Sequence, residues 1–460
     1  MAKIKLFEDV SPRKIIVSFK KIPDISDFKS SLRGKILQIK ELTNLKRQVI
    51  INFDLEGKII DIELGAEYLD TNVKILERSF DGRFYVYSEN CKNLELSKKE
   101  VYRYYDYYNE SIREDLNMSK FLVNSVNSLL KNLFKGDYKL DKKIKIKIDS
   151  PLAWEILESA SKKYNWEGLL KEKQLIKEIY PTPVSVLPPE VRPDENPIFA
   201  VIQIVQGCWI QDLRGACKFC NSYRNVAYKE KNLKELREHI ERVKKFTGGG
   251  WRYVKKIFFA DADPFHTDLD SEIYLKFLRQ GAPNISWYEC FISTPTILSK
   301  SENKWKKLMK LGLRRLYWGV ESTDDKTLKI LGKPHNKKML YQATSILNKI
   351  GLRYVVILLS GIGNLNLNGK KRDLTNNSHI IETAKFIQGI NCSDVYISRF
   401  IPQPGTEIYT LIKKKKLDFL PLSEREIEHR TMVKMTSCDK KNPLIPVRNV
   451  RGTYGAQFNR

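Results

Sequence analysis

Three of the chain's seven cysteines sit close together in the stretch QGCWIQDLRGACKFCNSY, Gln206 to Tyr223. Cys217 and Cys220 form a C-x2-C pair with Phe219 just before the second thiol, and eight residues separate Cys208 from Cys217. The apolar run FAVIQIVQ before Cys208 reads as a buried strand. Three thiolates at the mouth of a strand suit an iron–sulfur cluster that keeps one iron free of protein ligand, and that open iron is a place for chemistry. Zinc is the competing occupant, because C-x2-C is also a zinc knuckle. Structural zinc takes four ligands, and no partner His or Cys stands at a matching local spacing. No other cysteine lies upstream until Cys91, so Cys208 is taken as the first ligand.

A strand before the thiols needs a sheet around it. Apolar strand candidates run over Ala200–Val205, Val254–Ala260, Ile285–Phe291, Arg315–Gly319, Tyr354–Leu359 and Val395–Phe400. Helical patterns alternate with them, near Leu233–Phe246, Ser271–Leu278, Trp305–Leu311, Lys338–Ile350 and Ser378–Gln388. Strand–helix alternation of this kind predicts an α/β fold with a parallel sheet closed or partly closed into a barrel. Such barrels place their chemistry at the C-terminal ends of the strands. Asp261 and Asp263 follow strand two, Glu321 follows strand four, Gly361 and Gly363 follow strand five, and Ile401-Pro402 begins the run after strand six. Cys290 ends strand three, as a substrate-side thiol or a small core residue. His266, His335 and His379 fall in rim-side loops or helix starts, where they touch substrate or serve structure.

The remainder reads as accessory. Residues 1–180 form a basic α+β region with strand-like runs KIIVSF, RQVIINF and KIIDIEL and a hairpin signal at Asp81-Gly82. Leu122, Val126, Leu129, Leu130 and Leu133 recur at helical spacing, and Ser150-Pro151 reads as a helix start. The tyrosines at 102, 104, 105, 107 and 108 either stack on nucleic-acid bases or pack half-buried on a helix. Six prolines between 181 and 197 mark a linker, residues 198–410 form the barrel core, and residues 411–460 form a basic C-terminal helix and tail. Ser423 and Glu426 make a capping box for that helix, and the last stretch is a terminal strand or a frayed tail.

The formal net charge is +26, from 81 Lys and Arg against 55 Asp and Glu. Such an excess attracts polyanions, nucleic acid first among them, unless it is only solvated surface. No run approaches the roughly eighteen apolar residues of a membrane span. The N-terminus lacks a secretory pattern, and an odd cysteine count favours thiols and metal ligands over a disulfide framework. A cytoplasmic location is expected.

Taken together these residues resemble the radical S-adenosylmethionine (radical SAM) superfamily over about Phe199 to Tyr409. The resemblance rests on the three cysteines, the aromatic before the last, GVES (Gly319–Ser322) with LGKPH (Leu331–His335), and IPQPGTEIY (Ile401–Tyr409). It is nearest in flavour to the Elongator radical subunit, archaeosine-type tRNA enzymes and oxygen-independent coproporphyrinogen oxidase. The usual spacing is C-x3-C-x2-C, and the longer first gap here leans toward the Elongator-like and archaeosine-like branches. The resemblance implies a partial (β/α)6 TIM-like barrel with an N-terminal α+β accessory domain. It implies a 4Fe–4S cluster on Cys208, Cys217 and Cys220, and SAM cleaved to a 5′-deoxyadenosyl radical. Asp263 would take the methionine ammonium, with Asp261 sharing that role or serving only as a turn residue, because ADADP stands in place of the family's double glycine. Glu321 would bind the ribose hydroxyls, the alternative being a salt bridge at a strand end. Phe219, Ile401 and Pro402 would flank adenine, and Gly361 and Gly363 would let backbone approach the nucleoside. Expected partners are tRNA or other RNA and an electron donor such as ferredoxin or flavodoxin, with no membrane. The other functional readings are a radical SAM oxidoreductase acting on a small molecule or cofactor precursor, and a non-catalytic metal-binding protein of the same fold.

Overall fold

A computed structural model describes residues 2–6, 15–19, 49–53, 59–64, 73–78, 84–87 and 112–113, parts of 119–198, and 199–437 except 214–216, 224–225, 267–270, 364–377, 401 and 421, with 447–448. The chain divides into two compact units: residues 1–178 with 187–198 and the last residue, and residues 179–186 with 199–459. Ile401, Cys91, Cys438, the tyrosines at 102–108, the Ser150-Pro151 helix start and most of the proline-rich segment lie outside the described residues.

The first unit holds an eight-stranded sheet. Its strands are β1 (Ala2–Leu6), β2 (Ile15–Phe19), β3 (Val49–Phe53), β4 (Ile59–Leu64), β5 (Val73–Arg78), β6 (Phe84–Tyr87), β7 (Ile112–Arg113) and β8 (Lys147–Ile148). Strands β1 to β7 run as an antiparallel meander, and β8 joins β1 in parallel. The three β-branched runs are found where the sequence places them, and β5 pairs antiparallel with β6 on either side of Asp81-Gly82, which itself lies outside the described residues. Strand β1 and the helix Trp166–Ile179 were not anticipated.

The second unit is built on a parallel sheet of β9 (Phe199–Ile202), β12 (Lys256–Phe259), β13 (Trp287–Ile292), β14 (Leu313–Glu321), β15 (Arg353–Ser360) and β16 (Asp394–Arg399), in that spatial order. A short β17 (Val447–Arg448) extends it beside β16, so the tail contributes a terminal strand. Between β9 and β12 lies a two-stranded ribbon of β10 (Val205–Gln206) and β11 (Lys229–Glu230). Val205 was expected inside strand one and belongs to this ribbon instead. All six expected strands and all five expected helices are present. Among the described residues the short helices Trp209–Asp212, Thr294–Ser299, Asp325–Leu331 and Glu407–Lys413 add to them. This is an α/β fold with a parallel sheet flanked by helices, a partial barrel.

Strand alternation sorts the core into two faces. Trp318 is fully buried and meets Phe386 of the helix Ser378–Gln388 edge-on at 6.3 Å. Burying a large apolar side chain of this kind contributes about 2–3 kcal/mol. On the opposite face, the Phe258, Phe291, Tyr317 and Tyr396 rings meet at 5.1 to 6.1 Å. Nearer the strand starts on that face, Arg315 pairs with Asp394, and the Trp287 indole donates to Glu289 at 2.6 Å. The charged pair thus lies toward the N-terminal ends, and the cysteines lie toward the C-terminal ends.

Candidate active site

Gly207 opens the cysteine stretch at φ +73, and a Cβ there would stand 2.5 Å from the Val226 carbonyl oxygen, so only glycine fits. Cys208 then starts the short helix Trp209–Asp212, its carbonyl accepting from Gln211 N–H at 3.0 Å. Two bonds strap the second half of the stretch: Cys217 N–H donates to the Gly332 carbonyl at 2.7 Å, and Lys218 N–H to the Leu331 carbonyl at 2.9 Å. From the other side, Ile408 N–H donates to the Lys218 carbonyl at 3.2 Å. The loop after β9 is therefore pinned by the helix Asp325–Leu331 and by the helix Glu407–Lys413. This pinning holds Cys217 at φ +44, a left-handed conformation that costs a non-glycine residue about 1–3 kcal/mol.

Cys208, Ile210 and Cys217 are buried together, with Trp209, Cys220, Tyr223 and Ala262 packed against them. Burial raises the Cys208 thiol above its ordinary range, and the nearby Cys220 and Cys217 raise it further. Among the described residues no three His, Cys, Asp or Glu side chains converge on a point that could hold a single metal ion. A cluster makes a different demand, since each thiolate takes its own iron.

Two buried carboxylates face this stretch from the loop after β12. Asp263 Oδ2 accepts three bonds: from Trp209 Nε1 at 2.8 Å, Ser293 Oγ at 2.5 Å and Thr296 Oγ1 at 2.7 Å. Its other oxygen, Oδ1, takes no hydrogen bond from any described residue. Burial raises the Asp263 carboxyl, and these three donors pull it back. Asp261 Oδ2 accepts from Ile204 N–H at 2.9 Å, which fixes the bend between β9 and β10, and its Oδ1 is likewise unbonded by described residues. Burial lifts Asp261 from 3.8 to about 7, against the pull of Lys231.

A stability prediction follows from Asp261. Its folded-state value lies above its unfolded one, so the folded protein holds a proton that the unfolded chain releases. The Asp261 contribution to stability should fall as pH rises from about 4 to about 7, then level off, and Asp261→Asn should flatten that slope by the share of one proton, about 1.4 kcal/mol per pH unit. Urea melts across this range read the effect, and an unchanged slope in the variant rejects it.

Glu321 sits where β14 bulges, between Gly319 and Glu321, at φ +65 and 8% exposed. Its Oε1 lies 3.4 Å from Lys333 Nζ, which also stands 5.9 Å over the Phe219 ring. Burial raises the Glu321 carboxyl, and Lys333 opposes the rise. Burial alone would lower Lys333, but Glu321, Cys217 and Cys220 hold its ammonium above the ordinary value. A buried cation thus bridges the strand-four acid and the thiols. Sequence reasoning quoted LGKPH without giving Lys333 a role, although a lysine closely following an acid at a strand end was the available signal.

Phe219 packs on Leu331, Leu359, Ile362, Phe400, Ile408 and Leu417. Pro402 is half-buried at the same rim. Gly361 and Gly363 direct their N–H groups to Glu428 on the helix Leu422–Ser437, at 2.6 and 3.0–3.1 Å. Cys290 is fully buried, its thiol raised by burial and then by Asp263, Asp261 and Glu289. His335 and His379 are buried and bonded, His335 to Thr294 and Val320 and His379 to Ser322 and Leu359. His266 stacks on Trp209 at 3.7 Å, a pairing that the sequence did not disclose.

The sequence profile of the radical SAM superfamily matches residues 202–370, the segment that carries the cysteines, both aspartates, Glu321 and Lys333. This segment is a radical SAM domain. No curated protein matches the chain. Solved structures similar to it include the radical SAM methyltransferase TsrM from Kitasatospora setae, at 12% identity and TM-score 0.36, over 47% of this chain and 39% of that one. The archaeal Methanocaldococcus infernus Elp3 is similar at 16% identity and TM-score 0.34, over 55% and 56%. Coproporphyrinogen III oxidase (HemN) from Escherichia coli is similar at 13% identity and TM-score 0.36, over 52% of each chain. The chain spans less than two thirds of the length of these proteins. No helix among the described residues is long and apolar enough to cross a membrane.

Proposed function

We propose that the chain is a radical SAM enzyme that cleaves S-adenosylmethionine reductively at a 4Fe–4S cluster and modifies RNA, tRNA foremost. The observation that carries the first half is one rim holding three grouped thiols, two buried carboxylates each with an unbonded oxygen, and the buried Glu321–Lys333 pair. The donor set fits. Cys208, Cys217 and Cys220 would hold the cluster. Asp263 Oδ1 would accept from the methionine ammonium, with Asp261 lending charge and fixing the loop. Lys333 would offset negative charge near the thiolates, and Glu321 would take the ribose hydroxyls. Phe219, Ile401 and Pro402 would flank adenine, beside Gly361 and Gly363.

When bound, the cluster and SAM supply the reducing electron and the carbon-centred radical, while the protein supplies position and exclusion of water. Cys208 and Cys217 are buried among apolar and aromatic side chains, while Cys220 is partly exposed at the rim.

The RNA reading rests on the net charge of +26, most of which falls in residues 181–460, and on the presence of the large accessory region, residues 1–180. It favours the Elongator-like and archaeosine-like branches over the small-molecule branch. Ferredoxin or flavodoxin in the cytoplasm would supply the electron. The domain boundaries at 181–197 and 410 are proposed from the proline density and from the end of the strand–helix alternation.

The test is anaerobic turnover. The protein is reconstituted with iron and sulfide, reduced, given SAM, and assayed for 5′-deoxyadenosine with and without bulk tRNA. Formation of 5′-deoxyadenosine supports the enzyme class, and stimulation by tRNA supports the RNA reading. Turnover indifferent to tRNA, with tRNA binding that lacks a salt slope, moves the proposal to a small-molecule substrate. Zinc retained in place of an oxygen-sensitive cluster defeats it.

A further inference from the structure

The C-terminal helix Leu422–Ser437 lies beyond the segment matched to the superfamily, yet its side chains hold the rim. Glu428 has a fully buried side chain. Its Oε1 accepts from three consecutive amides, Gly361 at 2.6 Å, Ile362 at 3.0 Å and Gly363 at 3.1 Å, while Oε2 accepts from Gly363 at 3.0 Å. Successive N–H groups turned to one side make an anion-binding concavity, and here a carboxylate of the same chain fills it. Gly361 enters the turn at φ +80, and a Cβ on it would stand 3.2 Å from the Arg425 side chain of the same helix.

The chain of contacts continues. His379 Nε2 lies 2.9 Å from the Leu359 carbonyl, which can only accept, so that nitrogen carries the hydrogen; it is 3.7 Å from Glu428 Oε1. His379 Nδ1 therefore accepts from the Ser322 hydroxyl, at 2.7 Å. Ser322 Oγ in turn accepts from Asp324 N–H at 3.0 Å, and Ser322 directly follows Glu321. One helix turn thus bonds the loop after β15 and stands 3.7 Å from His379, whose own bonds go to Leu359 and Ser322. The next residue, His429, bonds Ser360 Oγ through Nδ1 at 2.8 Å.

We infer that Glu428 is a positioning residue that sets the Gly361–Gly363 loop. The assignment of SAM as the ligand so positioned rests on the function proposed above. The role needs a carboxylate. Glutamine offers one acceptor oxygen, and its amide N–H would confront the Gly363 N–H donor to donor.

The experiment has two readouts. The first is hydrogen exchange of the 361–363 amides in cluster-loaded protein without SAM, for wild type, Glu428→Gln and Glu428→Ala, each with and without formate. The second is SAM affinity by equilibrium dialysis. Both variants should lose protection at these amides by roughly tenfold or more. Their SAM affinity should fall roughly 10- to 100-fold while iron content stays unchanged. Formate should restore part of both in Glu428→Ala and do nothing to wild type, a rescue that loss of packing alone would not show. Wild-type protection and SAM affinity in Glu428→Gln overturn the inference, as does a formate response equal in wild type and Glu428→Ala. If only Glu428→Gln folds, its exchange and affinity decide alone. If loaded wild type fails to bind SAM, the proposed function falls, and the exchange arm still judges Glu428.

Discussion

Cys217→Ala is expected to lose the cluster and, with it, every trace of 5′-deoxyadenosine above background. Cys217 is the proposed ligand held at positive φ by the fold. Its N–H is tied to Gly332, its neighbour Lys218 to Leu331, and its φ is +44. Removing the thiol leaves two cysteine ligands and an apolar gap. Cys217→Gly separates ligation from strain. Glycine takes positive φ without the steric cost, so Cys217→Gly should be more stable than Cys217→Ala by about 1 kcal/mol while lacking the cluster equally. Iron and sulfide analysis, the visible absorption of the reconstituted protein and thermal melts read all three. Full cluster content in either variant would falsify the ligand assignment.

Lys333→Ala should be the most destabilising single change at the rim. Glu321 and Lys333 are both buried, with side chains 11% and 9% exposed, and removing one partner leaves a buried charge uncompensated. Breaking such a pair costs about 3–5 kcal/mol. Glu321 then holds its proton over a wider range, because burial already raises it and Lys333 is what opposes the rise. Replacing both partners, Lys333→Met with Glu321→Gln, should recover much of the lost stability. The double variant should still fail to bind SAM, because the groups that would meet it are gone. Denaturant melts of Lys333→Met, Glu321→Gln and the double variant test the coupling, and additive losses reject it.

How much of this was legible beforehand varies by element. The strands β9 and β12 to β16 were visible because a parallel strand buried on both faces leaves an apolar run, and the helices between them carry a 3.6-residue pattern. The helices Thr294–Ser299 and Asp325–Leu331 were missed because six or seven residues show too little of that period. Val205 was placed in the wrong strand because an apolar run does not record where the backbone bends. The bend here depends on Asp261, distant in sequence, accepting from Ile204 N–H.

The sequence by itself determined the chemistry on offer: three thiols at one strand end, two carboxylates, an acid in GVES, and the order of strands and helices that brings them to one rim. Those are properties of residue type and local spacing. Only the tertiary structure decided which oxygens stay unbonded, that Lys333 stands between Glu321 and the thiols, and that Glu428 fills the amides of Gly361–Gly363. Each of these joins residues from separate elements through hydrogen bonds or burial. Such pairings leave no periodic mark in the chain, because their energy depends on distances that exist only once the sheet and its helices have packed.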